Sequence, residues 1–324
     1  MLLVGKDIEM SGYNFGQNGP FWKGMSLVNN NNYAGWWGKN VWYVDDDNGD
    51  DSYKGSSPTR ALKTIQKAID KAGKHDTIFL KPREITIGTY SSHGYFSGTN
   101  VIAADQTGLA IIGTGRGGRG IGMSIQTMIE ADAGADEAAI TVQSPGVTIE
   151  NLGVKATSDS YGAIYANSNT AQAYGLTISN CFFKDFKTTG VAVGTINLHT
   201  IHWTTIQGCT FREAGTAIAH HSTYAAVETP VIKDCDFIGA ASTWDADIRV
   251  GDVKRLMIDD CRFSHAIPTG GAQAHYINMV GTAGTGMISN CTFSVASEDI
   301  SAMCTLAGTV LMSSCYGSKE VVDG

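Results

Sequence analysis

The sequence is poor in proline and in charged residues, and both shortages narrow the choice of fold. It has 6 prolines and 17% charged residues, against 39 glycines and 43% apolar residues in a chain of 324. This composition favours short strands joined by many turns over long helices. The net charge is −8, so we expect no nucleic-acid-binding surface.

Long apolar runs are missing as well. No stretch reaches the roughly 18 apolar residues of a membrane-spanning helix, so we expect no membrane insertion. The start, MLLVGKDIEM, lacks the basic segment and apolar core of a secretion signal. The 7 cysteines are odd in number and form no CxxC pair. They therefore favour reduced thiols in a protein that folds in the cytosol.

One seven-residue phrase recurs through the second half of the chain. Each copy has an apolar second residue, two polar residues, a slot that is usually cysteine and, in most copies, phenylalanine two residues later. The slot repeats at intervals of 24 to 30 residues, which indicates a solenoid. The copies are TIENLGV at 148–154, TISNCFF at 177–183, TIQGCTF at 205–211, VIKDCDF at 231–237, MIDDCRF at 257–263, MISNCTF at 287–293 and LMSSCYG at 311–317.

The cysteine slot is predicted to form an internal column. Cysteine and phenylalanine two residues apart point to one side of a strand, so stacked coils would hold columns of Ile, Cys and Phe. Disulfides would need Cβ atoms about 3.5–4.5 Å apart, and zinc would need four converging ligands, which a straight stack does not offer. The Asn, Asp or Gly that usually precedes the slot tolerates the positive φ of a sharp bend.

A second strand follows in each copy. Its apolar column is aligned as Ile164, Val191, Ile218, Ile248, Ile277 and Cys304. One turn per roughly 27 residues, built from short strands, predicts an all-β parallel β-helix of about eight to ten coils. Coils of this kind stack about 4.8 Å apart.

One amphipathic helix is predicted before the coils. Leu62, Ile65, Ile69 and Ala72 fall on one face. Ser57 or Thr59 would cap its start and Gly73 would end it. A helix here would cover the open end of the coil stack.

These N-terminal residues carry a family resemblance. YVDDDNGDD, then SSPTRALKTIQKAI and DTIFLKP, resemble the cap of the pectate-lyase-like right-handed parallel β-helix superfamily, which includes polysaccharide lyases, glycoside hydrolases and many bacteriophage tailspikes. With the repeats, the resemblance covers residues 41–317 and implies a capped right-handed β-helix. It leaves the activity open.

The flanking segments lie outside the coil pattern. Residues 318–324 form a short polar tail, and residues 1–40 have no periodicity but are rich in Gly, Asn and tryptophan. Trp22, Trp36 and Trp37 would suit an arm that attaches to other virion proteins, as in tailspikes. The alternative is that the arm folds back over the cap helix.

Three motifs are given structural interpretations. GTGRGGRG at 113–120 opens no helix, so we interpret it as a turn between coils rather than a nucleotide site. DDDNGDD at 45–51 does not have the spacing of a calcium loop and is predicted to be a solvated acidic turn. His220 is predicted to be a core histidine. We expect no metal and no cofactor.

The second-strand column supplies the candidate site. Asp245 and Asp247 are the candidate catalytic pair of a glycosidase, whereas a lyase would use a base such as Arg249. The alternative is a solvated face or a subunit contact. The candidate carbohydrate-binding residues are Trp244, Arg249, Tyr276, Asn278, His221 and His275.

Taken together, these features predict a bacteriophage virion structural protein assembled in the host cytoplasm. It would be a tailspike or fibre-like appendage, homotrimeric, that contacts host-surface polysaccharide. The alternative is a polysaccharide-degrading hydrolase or lyase on the same fold.

Overall fold

The computed structural model describes most of the chain from residue 40 to residue 318. The described ranges are 40–81, 83–84, 96–97, 100–102, 106–114, 125–131, 138–156, 162–167, 174–184, 194–199, 201–221, 227–240, 246–264, 275–280, 284–294, 304–306 and 308–318. Within them no helix is long and apolar enough to cross a membrane.

Three parallel sheets form the body of the protein, and each successive coil adds one strand to each sheet. In the described residues the sheets hold ten, nine and eight strands, which confirms the right-handed parallel β-helix that the repeats and the resemblance predicted. The first sheet comprises Val41–Val44, Thr77–Leu80, Ala110–Gly113, Thr148–Glu150, Thr177–Ser179, Thr205–Gln207, Val231–Lys233, Leu256–Asp259, Thr285–Ser289 and Thr309–Ser313.

The other two sheets complete each coil. The second comprises Phe96–Ser97, Met128–Ala131, Gly153–Ala156, Phe182–Lys184, Thr210–Ala214, Asp236–Ala240, Arg262–Ser264, Thr292–Ser294 and Tyr316–Ser318. The third comprises Asn100–Ile102, Ala138–Val142, Gly162–Asn167, Ile196–His199, Thr216–His221, Ala246–Val250, His275–Met279 and Cys304–Thr305. Two short pairs stand apart: Val227–Glu228 with Val253–Lys254, and Arg83–Glu84 with Ile125–Gln126.

Identical residues stack along the axis, as the repeat predicted. The isoleucine column of the first sheet also begins two coils earlier than the phrase, at Ile78 and Ile111. Phe183, Phe211, Phe237, Phe263 and Phe293 are buried, and consecutive rings are stacked with centroids 4.7 to 5.1 Å apart.

One position of the third-sheet alignment was wrong. Ile164 pairs with Ile196, and Ile196 pairs with Ile218, so Ile196 and not Val191 stands in the column. Val191 itself lies outside the described residues. The loop before this strand is longer than in other coils, and both GVAVG and TINLH alternate in polarity, so sequence spacing could not fix the register.

All 7 cysteines are free. Six of them form the predicted column, in which Leu152 occupies the first position. Cys235 is typical: its Sγ donates to the carbonyl oxygens of Lys233, at 3.2 Å, and of Ile206 in the preceding coil, at 3.8 Å. Burial raises the pKa of the Cys235 and Cys209 thiols. The column is therefore a packing element with neutral thiols.

Two columns of left-handed turns bend the coils. The predicted one precedes the cysteine slot and has positive φ at Asn151, Asn180, Gly208, Asp234, Asp260, Asn290 and Ser314. The other, which the sequence analysis missed, precedes the first-sheet strands. It has His75 in the earliest coil, glycine at 108, 146 and 175, and Trp203, Thr229 and Arg255 in later coils.

The helix is shorter than predicted. It spans Ile65–Lys71, and its N-cap is Thr64, whose side chain accepts a hydrogen bond from the Lys67 N–H. Ser57 is the N-cap of a separate 3-10 turn at Pro58–Arg60, without a side-chain capping bond, and Leu62 is extended and bridges to Val44. The Asp51 carboxylate accepts the N–H groups of Lys63 and Thr64 and so holds the chain extended up to the cap.

The helix packs on the first coil, where the coil stack would otherwise be open. It contacts Val41–Val44 and Thr77–Leu80 in the first sheet and Asn100–Ile102 in the third. Ile65, Ala68 and Ile69 are buried and belong to the main core. The predicted capping role is thus confirmed.

Candidate functional site

The outer side of the third sheet carries the polar row on which the predicted site depended. Arg249 pairs with Asn278, and Asn278 pairs with Thr305, one residue per coil. The Thr305 hydroxyl lies 3.5 Å from the His275 imidazole. Arg249, Asn278 and His275 are half-buried and Thr305 is exposed. These four residues are called the third-sheet face below.

Tyr276 does not belong to that face, which corrects the prediction. Its side chain is fully buried, and its ring centroid lies 5.5 Å from that of Phe263 and 5.4 Å from that of Phe293. Its hydroxyl donates to the main-chain oxygen of Ser294. Near the start of its strand the ring reaches the phenylalanine column, and burial of so large an apolar surface overrides the simple alternation.

The candidate catalytic pair is only partly placed. Asp247 is 3% exposed and lies beside Tyr276 in the register of the two strands. The prediction that its carboxyl is open to solvent was therefore wrong. Asp245 and Trp244 lie outside the described residues, as do Trp22, Trp36 and Trp37. The described residues therefore bring no pair of carboxyls together on the third-sheet face.

Of the two adjacent histidines, His220 is buried, as predicted. It is 6% exposed and stacks with Leu198, Val250 and Met279. His221 ends the same strand and pairs with His199. His221 is therefore not in the row of Arg249 and Asn278.

A second polar and aromatic surface lies at the corner between the third and first sheets. The Trp203 indole is 55% exposed. Its centroid lies 5.8 Å from that of Tyr174, with the rings at 84°, and 6.1 Å from that of the His202 imidazole. Sequence reasoning missed this surface, although Trp203 stands two residues before a first-sheet strand, where earlier coils have glycine.

Polar groups from the next two coils complete the corner. The Glu228 N–H donates to Nδ1 of His202 at 3.2 Å. The Glu228 carboxylate accepts a hydrogen bond from Nη2 of Arg255 at 3.1 Å. Tyr174, His202, Trp203, Glu228 and Arg255 are called the corner cluster below.

The acidic turn at 45–51 is partly buried, which corrects the prediction of a solvated turn. Asp45, Asp46 and Asp47 place carboxylate oxygens within 4.8 Å of one another. Asp45, however, is fully buried and forms an ion pair with Lys81 at 3.0 Å. The ammonium group faces Asp45 where a cation would bind, and the turn has a structural role in the cap.

Comparison with known proteins gives similarity of fold. No family model and no curated protein matches the chain. A pectin methylesterase from carrot shares 12% identity, with a TM-score of 0.48, over 87% of this chain and 84% of its own. A rhamnogalacturonan lyase shares 12%, with a TM-score of 0.43, over 79% and 68%. The ORF18 protein of Geobacillus virus E2 shares 12%, with a TM-score of 0.39, over 79% and 54%.

These similarities describe the architecture. All three proteins are 12% identical to this chain and have TM-scores below 0.5, so they provide no argument about its superfamily or its activity. The parallel β-helix fold of this chain is shown by the order and register of its own strands.

Proposed function

We propose that the protein is a virion appendage, tailspike-like or fibre-like, whose third-sheet face binds a host-surface polysaccharide. The observation that carries the proposal is the in-register row of Arg249, Asn278 and Thr305, with His275 beside it. Guanidinium, amide and hydroxyl groups spaced about 4.8 Å apart offer several hydrogen bonds to a chain of sugar hydroxyls.

The scaffold suits this role because it holds the row rigid. Arg249, Asn278 and His275 lie on strands that are hydrogen-bonded to a neighbour on each side, Thr305 lies on the last described strand of the sheet, and the inward residues Ile248 and Ile277 are fully buried. Preorganised groups lose little conformational entropy on binding. Free buried thiols suit a rod that is assembled in the host cytoplasm without disulfides.

The test is binding to an array of bacterial surface polysaccharides. We expect the full-length protein to bind at least one of them, and Arg249→Ala to weaken that binding about tenfold, which corresponds to ~1.4 kcal/mol. Arg262→Ala is the matched control, because Arg262 is an exposed arginine of the second sheet. Equal binding by Arg249→Ala and the wild type would remove the third-sheet face from the proposal.

The appendage also implies assembly. We propose a homotrimer that attaches to other virion proteins through residues 1–40. Light scattering of the full chain should give a mass near three times 34.3 kDa. A monomeric mass that persists at high protein concentration would contradict the trimer, and co-purification with virion components that survives deletion of residues 1–40 would contradict the attachment role.

The enzyme alternative is less well supported. It depends on Asp245 and Asp247, and Asp247 is buried. We expect no release of reducing ends and no unsaturated product from any polysaccharide that the protein binds. Cleavage that is lost in Asp247→Asn would establish the enzyme instead.

A further inference from the structure

We propose that the corner cluster is a second carbohydrate subsite, in which a pyranose ring stacks on the Trp203 indole. The site is separate from the third-sheet face, and no residue is shared between them. The inference extends the proposed glycan-binding role but rests on a different set of contacts, so each can fail without the other.

The backbone at Trp203 is the first observation. Its φ is +55°, a region that glycine enters freely and that bulky residues seldom adopt. In the coils before it the same turn holds His75, Gly108, Gly146 and Gly175, and in the two coils after it Thr229 and Arg255. The turn therefore forms with glycine as well as with larger residues, so the backbone at this position does not require an indole.

The exposure of the indole is the second observation. A tryptophan held in a strained turn for packing would be buried, yet Trp203 is 55% exposed. The Tyr174 ring meets it edge-on at 84°, so the indole has an aromatic neighbour on the surface. The outer face of an indole is electron-rich and attracts the weakly positive C–H groups on one face of a pyranose ring.

The surrounding polar groups supply the other half of a sugar site. Nδ1 of His202 accepts the Glu228 N–H, so in the neutral imidazole Nε2 carries the proton and can donate to a hydroxyl. The Glu228 carboxylate and the Arg255 guanidinium are paired 3.1 Å apart at the surface, where both keep further hydrogen-bonding capacity. An apolar platform beside such convergent polar groups is typical of ligand sites.

The polar surroundings also favour a sugar over a second copy of the chain. The core of a subunit interface is depleted in charged residues, whereas the platform here is bordered by an ion pair and by exposed Lys254. A hydroxyl-rich ligand can hydrogen-bond to these charged groups, whereas an apolar protein surface would remove them from water without replacing the hydrogen bonds to water.

The test uses full-length protein labelled with 5-fluorotryptophan and observed by fluorine NMR. The Trp203 resonance is assigned from its disappearance in Trp203→Gly. Cellohexaose, maltohexaose, chitohexaose and hexagalacturonate serve as probes. We expect at least one probe to shift the Trp203 resonance, and Trp203→Gly to lower the affinity for that probe roughly three- to tenfold, as expected for loss of one stacking contact.

Trp203→Gly also separates binding from folding. Glycine adopts the positive φ without strain, so we expect the thermal midpoint of the variant to equal or exceed that of the wild type while binding is weakened. Trp203→Asn, which also tolerates this φ, should behave in the same way, and Arg249→Ala should leave the Trp203 shift intact.

Three results would overturn the inference. They are a Trp203 resonance that none of the probes moves, a marked fall in the thermal midpoint of Trp203→Gly, and a change in oligomeric mass in that variant. The second would show that the indole is needed for packing, and the third that the corner is a subunit contact. Loss of glycan binding in Arg249→Ala alone would support only the third-sheet face.

Discussion

Phe237 and Phe263 lie in adjacent coils with ring centroids 4.7 Å apart and ring planes only 4° apart. This separation is about the spacing of hydrogen-bonded strands, so the rings repeat at the same interval as the backbone. Each ring is sandwiched between two others in the middle of the column. The stack therefore couples each coil to its neighbours through side chains as well as through the ladder.

Phe237→Ala should lower the free energy of unfolding by about 3–5 kcal/mol, the usual range for removing a buried phenylalanine. The cavity would be flanked by Phe211 and Phe263, which the backbone ladder keeps from closing in. The measurement is the midpoint of urea unfolding. Met257→Ala is the control at an exposed apolar position, and an equal, small effect of both variants would contradict the role of the stack.

Cys235→Ser should destabilise the protein by about 1–3 kcal/mol, because it replaces a buried thiol with a hydroxyl in an apolar column. The shorter C–O bond also moves the donor away from the Ile206 oxygen, which is already 3.8 Å from the sulfur. The matched control is Cys315→Ser at the half-buried end of the column. An equally large loss of stability in the control would contradict the importance of burial.

The reactivity of the cysteine thiols should follow their burial. Burial raises the pKa of the Cys304 thiol to about 12 and raises that of Cys315, so little thiolate is present at pH 8, and the buried sulfurs are also inaccessible. We expect a disulfide reagent to label Cys315 first, and the six buried cysteines only when denaturant opens the coils. Rapid labelling of several cysteines in the native protein would contradict the structure, and peptide mapping identifies the sites.

Lys81→Met should destabilise the N-terminal cap by about 3–5 kcal/mol, because it leaves the Asp45 carboxylate buried and uncompensated. The double variant Asp45→Asn, Lys81→Met should recover part of this loss. Arg262→Met is the control, since its 3.1 Å pair with Asp236 is largely exposed and such pairs contribute about 0–1 kcal/mol. Equal thermal midpoints for Lys81→Met and for the double variant would contradict the role of the buried pair.

Stability should depend on pH through Asp76. Burial alone would raise the pKa of this carboxyl, but hydrogen bonds from the Gly73 N–H, the Trp42 indole and Asn40 outweigh burial and lower it. A lowered folded-state pKa stabilises the protein fully above the unfolded value of about 3.9. That contribution disappears as the pH falls through the folded-state pKa.

The check is urea unfolding of the wild type and of Asp76→Asn across the acidic range. The wild type should lose stability as the pH falls below about 4. Asp76→Asn should be less stable at neutral pH and should show a shallower loss in acid. Parallel curves for the two proteins would show that Asp76 does not contribute to acid sensitivity.

Much of the fold could be predicted because it repeats. A single phrase, copied at a nearly constant interval, placed the Ile, Cys and Phe columns and the turn before each cysteine, and the structure confirms each of them. The errors occurred where the repeat is broken. Ile196 replaced Val191 because loop length varies between coils, and the helix begins at Ile65 because Asp51 holds the preceding residues extended.

The candidate site was less predictable, for a related reason. Periodicity of two assigns each strand residue to a face, and two of the candidate residues, Arg249 and Asn278, do pair in adjacent strands. It could not show that Tyr276 turns into the phenylalanine column, because that contact depends on how two sheets meet at a corner. Nor could it show that Trp203, Tyr174 and Glu228, from three coils, meet on one surface.

The sequence by itself thus determined the coil, its internal columns and its bends, since these follow from local residue types repeated along one axis. Only the tertiary structure decided which polar and aromatic side chains reach solvent together. Exposure at a corner depends on loop lengths and on packing between different sheets, and the repeat interval determines neither of them. For that reason the corner cluster emerged from the structure while the β-helix was already evident in the repeats.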